Sequence, residues 1–174
     1  MRALIFITVF VFAARGWAGT AALAMPDRWS AETEILLFTA ARRDHMERTI
    51  LPALAAGKVV ICDRFADSTR MYQGLSRGDL RALVDQLHAL MIGREPDLTL
   101  LFDMDPDVSH ARAVERDSID SRFENFGAGL QKEMRSGFLE LAAAAPKRFR
   151  IVNAARDIDA IAADTLSVIK AHLG

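Results

Sequence analysis

The 174-residue sequence is poor in cysteine and in lysine, and its positive and negative charges nearly balance. Its single cysteine, Cys62, cannot form an internal disulfide, which fits a reducing compartment. No cluster of cysteine and histidine suggests a zinc site. Arginine supplies most of the positive charge, because lysine occurs only at Lys58, Lys132, Lys147 and Lys170. The net charge of −1 gives no support for a surface that coats nucleic acid.

The sequence also lacks an apolar run long enough to cross a membrane as a helix. Residues 4–12 are strongly apolar but too short for a span of about 20 residues. Two interpretations compete for them: the first, central strand of a sheet, or the core of a signal peptide cleaved after Ala22-Leu23-Ala24. We favour the strand, because the rest of the chain has a cytoplasmic character. Residues 1–25 nevertheless form an atypical N-terminal segment, and we expect no membrane partner.

The composition that remains, 51% apolar and 26% charged, is that of one globular domain with a core of its own. Ser30 is a suitable N-cap for a helix, which continues helically to Ala56 and ends at Gly57. Further on, apolar strands alternate with amphipathic helices. The predicted strands cover 59–62, 98–102 and 149–152, and the predicted helices cover 79–92, 106–116, 124–145 and 158–172. This alternation predicts a parallel α/β sheet in a single domain, residues 1–174.

The most informative stretch is residues 63–74, which directly follows the strand predicted at 59–62. That strand is apolar and β-branched, and we expect it to be buried on both faces. Asp63 and Arg64 would then lie at the carboxyl end of a parallel strand, where open α/β sheets bind ligands. An acid that can hold a metal-bound water, beside an arginine that can bind phosphate, is typical of phosphoryl transfer. For the nearby Asp67 and Arg70, the alternative without a functional role is a simple surface pair.

Residues 63–74 resemble the Asp-Arg-Phe/Tyr…Ser-Thr…Tyr-Gln-Gly signature of thymidylate (dTMP) kinases, and the resemblance extends from Ser30 to the C-terminus. It implies a P-loop-kinase-like parallel sheet flanked by helices. The reaction it implies is transfer of the γ-phosphate of ATP to dTMP with Mg²⁺, which yields dTDP for dTTP synthesis. It also implies a homodimer paired through helices, which the apolar helix at 79–92 would permit.

The resemblance assigns the acceptor base to Phe38 and Arg42. Their spacing of four places both side chains on one face of a helix. In the family, the phenylalanine stacks on thymine and the arginine hydrogen-bonds it. The alternative makes Phe38 a core residue and Arg42 a solvated neighbour.

The resemblance also gives roles to the residues of the 63–74 stretch. Arg64 would bind the phosphates between donor and acceptor, and Asp63 would bind a magnesium-coordinated water. Tyr72 would press against the ribose and exclude a 2′-hydroxyl, although simple core packing is the alternative. The neighbouring positions of the base and sugar site are Ser68, Thr69 and Gln73.

Two weaker assignments lie further along the chain. Residues 112–124 resemble the lid of these kinases, in the version whose lid supplies catalytic arginine. The resemblance assigns this role to Arg116 and Arg122, and less strongly to Arg112. Charge-rich helical faces are, however, often only solvated. Asn153 and Ala154 follow the last predicted strand, where the family holds the edge of the adenine.

The family opens with a Gly-x-x-x-x-Gly-Lys-Ser/Thr loop, whose amides and lysine hold the donor phosphates. This sequence contains no such motif, and its first lysine is Lys58. The strand with an Arg-Glu-Pro-Gly-Gly turn is absent as well. We therefore expect the N-terminal part of the fold to be incomplete. The alternative function is a catalytically impaired, dTMP-binding remnant.

Overall fold

The computed structural model describes residues 3–9, 29–75, 78–109 and 128–174. Within them, four parallel strands form one sheet in the order β2-β1-β3-β4. The strands are β1 (Ala3–Val9), β2 (Val59–Asp63), β3 (Leu98–Asp103) and β4 (Phe149–Asn153). β1 is an interior strand, since Ile5 pairs with Ile61 on one side and with Leu98 on the other. The strand interpretation of the apolar N-terminal segment is thus confirmed over residues 3–9, and residues 10–12 lie outside the described part.

Helices connect the strands, as the sequence predicted. Before β2, α1 (Ala31–His45) continues through a π-helical turn (Met46–Ile50) into α2 (Leu51–Ala55). After β2 come α3 (Ala66–Thr69), a π-helical segment (Arg70–Leu75) and α4 (Arg81–Met91). The later helices are α5 (Ala128–Ala144) and α6 (Ile158–Leu173). Among these described helices, none is long and apolar enough to cross a membrane.

Local sequence signals set the ends of the first helical unit. The Ser30 side-chain oxygen accepts a hydrogen bond from the Thr33 backbone N–H at 3.2 Å, which is the predicted N-cap. Gly57 follows α2 with a φ of +77°, a left-handed conformation that glycine adopts without strain. The predicted helix at 106–116 is described only over a helical turn at 106–109. Residues 110–127, which include the predicted lid arginines Arg112, Arg116 and Arg122, lie outside the described residues.

The core lies on both faces of the sheet. On one face, buried residues of β1, β3 and β4 pack against α6, with Ile5, Leu100 and Val152 at the centre. On the other face, alternate strand residues pack against α5 and the π-helical segment, with Leu101 meeting Met71 and Phe138. β3 is therefore buried on both sides, which explains its uninterrupted apolar sequence.

The expectation that the strand at 59–62 is buried on both faces is wrong. Val59 and Ile61 are 39% and 59% exposed, whereas Cys62 on the opposite face is buried. β2 is an edge strand in the described sheet, and the cluster that packs against α6 contains no residue of β2. A short apolar run does not reveal whether a helix covers both of its faces. Cys62 is a buried free thiol, and burial raises its pKa to about 11, so the thiol is protonated at neutral pH.

Candidate functional site

The turn after β2 places two charged residues at the carboxyl edge of the sheet. Arg64 has a φ of +62°, a left-handed conformation that non-glycine residues rarely adopt. Backbone strain of this kind concentrates at functional sites. The Arg64 guanidinium carbon lies 5.1 Å from the centroid of the Tyr72 ring, within the range of a cation–π contact. The unusual backbone and the ring below it together fix the position of this guanidinium.

Asp63 ends β2 and Asp103 ends β3, the strands on either side of β1, but their carboxylates differ in availability. Asp103 is held by Arg135 of α5 through hydrogen bonds of 2.7 and 2.9 Å. The Asp63 carboxylate makes no ion pair with any other described residue, and burial raises its pKa although Arg64 partly opposes the shift. The described residues contain no group of three possible metal ligands. Mg²⁺ commonly keeps several waters and takes one or two carboxylates plus substrate phosphates, so the lone Asp63 carboxylate fits a water-mediated contact.

The predicted base-recognition residues come together on α1 and α3. One Arg42 nitrogen, Nη2, donates to the Thr69 hydroxyl at 2.7 Å and to the Phe65 carbonyl at 3.3 Å. The Arg42 guanidinium also lies 5.3 Å from the Phe65 ring centroid. Burial is the main reason that the pKa of Arg42 is lowered, to about 10. This value is still well above neutral pH, and the guanidinium is therefore charged there.

Phe38 lies one helical turn before Arg42 on the same face of α1. It is partly exposed and belongs to none of the buried clusters, unlike a core phenylalanine such as Phe138. The hydrogen bonds of Arg42 in the described structure use Nη2, and a guanidinium has further donors on Nε and Nη1. A partly exposed aromatic ring and a guanidinium with further donors thus lie on the same face of α1.

Three further predicted residues are buried beside this face. Tyr72 packs edge-to-face on Phe138 with ring centroids 6.3 Å apart, and burial raises the pKa of its hydroxyl. The Ser68 hydroxyl is buried and finds no hydrogen-bond partner among the described residues. Gln73 donates to the carboxylate of Glu34 at 3.4 Å. Sequence reasoning did not single out Glu34 as a partner of Gln73, although its position one turn before Phe38 was a usable signal.

The interpretation of Asp67 and Arg70 as a surface pair is wrong. Asp67 is fully buried and Arg70 almost so. They belong to a cluster of charged residues that we call the Asp67 cluster: Asp67, Arg70, Asp85, Glu95 and Arg148. Spacing along α3 indicated the pair, but Arg148 is 81 positions away and only folding brings it to Asp67.

The predicted adenine-edge residues lie at the carboxyl end of β4. The Asn153 side chain accepts a hydrogen bond from the Ala155 N–H at 2.9 Å, and the Ala154 N–H donates to the Asp103 carbonyl at 2.8 Å. Both residues thus stand at the same edge of the sheet as Asp63 and Asp103. Their contact with a nucleotide stays a prediction.

Comparison with known proteins gives a consistent family. Residues 21–165 match the family model described as thymidylate kinase. The chain is 71% identical over 148 residues to a thymidylate kinase of Ruegeria pomeroyi, with 85% of this chain and 70% of the relative covered. A thymidylate kinase of Dinoroseobacter shibae is 61% identical over 142 residues, covering 82% and 69%. The fold is similar to the crystal structure of thymidylate kinase from Ehrlichia chaffeensis, with a TM-score of 0.67, 26% identity, and coverage of 97% of this chain and 80% of that one.

Proposed function

Because the chain belongs to the thymidylate kinase family, we propose that Phe38, Arg42, Arg64 and Thr69 form its dTMP site. The chain is a phosphotransferase, a nucleoside monophosphate kinase whose reaction is the phosphorylation of dTMP to dTDP. The alternative of a catalytically impaired remnant is not favoured by these relatives. The main support for the proposed site is the 2.7 Å hydrogen bond between Arg42 and Thr69. Phe38 lies on the same face of α1 as Arg42.

The base would be bound from two sides. The partly exposed Phe38 ring offers a stacking surface, and stacking of a base on an aromatic side chain contributes about 1–3 kcal/mol. Arg42 and Thr69 supply hydrogen-bonding groups at the edge of the base. Because Thr69 already holds Arg42 Nη2, the orientation of the guanidinium is set before the nucleotide arrives.

Arg64 would bind the phosphates. Its planar guanidinium matches phosphate oxygens, and in the transition state it would stabilise the charge on the transferred phosphoryl group. Its contact with the Tyr72 ring would keep it in place during transfer. A water-coordinated Mg²⁺ at Asp63 would supply neutralisation of the phosphate charge.

The remaining assignments stay predictions. ATP as the phosphoryl donor follows from the family in general, and Asn153 and Ala154 are proposed at its adenine. Arg116 and Arg122 are proposed as catalytic arginines of the lid, and Gln73 and Ser68 as neighbours of the sugar. In a homodimer, α4 would form the contact between the two chains, because its Leu90 and Met91 are exposed in the single chain. A cytoplasmic location is expected as well.

Calorimetry tests the base site. We expect dTMP to bind more tightly than cytidine or adenosine monophosphate, and Phe38→Ala to weaken dTMP binding by about 1–3 kcal/mol through loss of stacking. Leu36→Ala is the control, because Leu36 is an exposed apolar residue on the same helix that lies outside the proposed site. Equal affinity for all three monophosphates, or the same affinity in both variants, would remove the pocket assignment.

A further inference from the structure

The Asp67 cluster lies directly behind the proposed base site without forming part of it. We propose that the Asp67 carboxylate is a positioning group for the base-recognition pair Arg42 and Thr69, acting through ion pairs with Arg148 and Arg70. This inference rests on the proposed dTMP site. It assigns a role in base selection to residues that would touch no nucleotide.

Arg148 forms the first ion pair. Its Nη1 and Nη2 donate to the two Asp67 oxygens at 2.6 and 3.1 Å, so both arms of the guanidinium are engaged. Nη1 also donates to the Thr99 hydroxyl of β3 at 3.0 Å. Arg148 immediately precedes β4, and its carbonyl accepts from the Thr99 N–H at 2.8 Å. Asp67 is therefore tied to the two strands on the far side of β1.

Arg70 forms the second ion pair. Its Nη1 donates to Asp67 at 2.7 Å, while Nη2 and Nε donate to Glu95 and Asp85, also at 2.7 Å. Asp85 belongs to α4, and Glu95 lies in the connection between α4 and β3. The two arginines thus bind the same buried carboxylate, and each of them also pairs with Glu95. Charge-assisted bonds with this geometry are short and directional.

The site depends on these ion pairs because α3 is only four residues long. A single helical turn has little stability of its own, since nucleating a helix is unfavourable. Asp67 is the second residue of that turn, and Thr69 is its last. Fixing Asp67 to the sheet therefore fixes the Thr69 hydroxyl, and with it the Arg42 guanidinium that Thr69 holds.

Charge balance adds to the geometric argument. Arg42 lies close enough to Arg70 for the second guanidinium to disfavour its charged form, and Asp67 opposes that effect. The carboxylate thus offsets part of the repulsion between Arg70 and Arg42. Without it, Arg70 would repel Arg42 with less compensation from the buried side.

Asp67→Asn tests the proposal, because it removes the charge and keeps the shape. We expect dTMP affinity to fall about tenfold to a hundredfold, the size of effect that a small misplacement causes. The ratio of dTMP to dCMP affinity should fall as well, since the groups that read the base are displaced. Asp85→Asn is the matched control: it removes another Arg70 partner, but one that is 58% exposed and makes no ion pair with Arg148. We expect it to leave the ratio unchanged.

Arg148→Lys provides a second variant in case Asp67→Asn does not fold. It keeps the positive charge but loses the two-armed contact, so we expect an unchanged melting temperature to within a few degrees and a smaller fall in the same ratio. A stability change without a change in the ratio, in whichever variant folds, would overturn the positioning role. If the wild-type chain itself does not prefer dTMP, the proposed function fails instead. The two failures are therefore distinguishable.

Discussion

The ring of Tyr72 contacts both a core residue and the predicted phosphate-binding arginine. It packs on Phe138 in the core, and the Arg64 guanidinium lies over the same ring. The sequence raised core packing and ribose contact as alternatives; the structure shows the core packing, and the ribose contact stays a prediction. A ring held by the core on one edge is a rigid wall for whatever lies on the other.

We expect dTMP to bind more tightly than its ribose counterpart, and Tyr72→Ala to narrow that gap because the wall against the 2′-hydroxyl is gone. Tyr72→Phe is the control, since it keeps the ring and loses only the hydroxyl, and it should retain the gap. Binding of the two nucleotides to each variant, measured by calorimetry, gives the ratios. If Tyr72→Ala leaves the ratio of dTMP affinity to ribonucleotide affinity unchanged, Tyr72 has only a packing role.

At the scale of elements, α5 packs closely against the π-helical segment that carries two of the proposed site residues. That segment carries Tyr72 and Gln73, and α5 approaches it at Gly137. A Cβ at Gly137 would lie 2.6 Å from the Met71 sulfur and 3.1 Å from a Leu75 methyl carbon. The absence of a side chain there lets the helix pack against the segment.

We therefore expect Gly137→Ala to lower the free energy of unfolding by about 1–3 kcal/mol, the usual effect of overpacking a buried contact. Gly129→Ala is its matched control on the same helix, because a Cβ there meets nothing within 4 Å. That variant should be neutral or more stable by up to about 1 kcal/mol, since alanine favours helix. Urea unfolding of both variants measures the difference. Equal stability of the two would show that α5 does not pack tightly on the segment.

At the scale of the whole molecule, one sheet edge gathers the acidic and amide groups of three strands. Asp63, Asp103 and Asn153 all end parallel strands, and the turn after β2 adds Arg64. The sequence of 174 residues nevertheless contains no Gly-x-x-x-x-Gly-Lys-Ser/Thr motif. In the family, that loop holds the β- and γ-phosphates of the donor in line with the acceptor.

We expect the purified 174-residue chain to bind and phosphorylate dTMP, but more slowly than a relative that carries the loop, because positioning of the donor lowers the activation barrier. A coupled assay of ATP consumption with dTMP and magnesium measures the rate, and Arg64→Ala should abolish what remains. Turnover at the ordinary rate of the family, lost in Arg64→Ala, would mean that the chain holds the donor phosphates by other groups.

The sequence by itself determined the parallel α/β class, the ends of the predicted and described elements to within a few residues, and the location of the Asp63–Arg64 turn. It did not predict α3 or the π-helical segment. These features depend on local signals: apolar runs, the Ser30 cap, the glycine after α2 and a motif contiguous along the chain. The spacing of Phe38 and Arg42 was also sufficient to place both on one face, because helical geometry is local.

Only the tertiary structure decided which faces are covered and which charges are buried. β2 is an edge strand with Ile61 exposed, because the helix that covers β1, β3 and β4 does not reach it. Asp67 is buried because Arg148, far along the chain, meets it across β3. Burial and long-range ion pairs depend on contacts between distant segments, and such contacts leave no periodic or contiguous pattern in a single sequence.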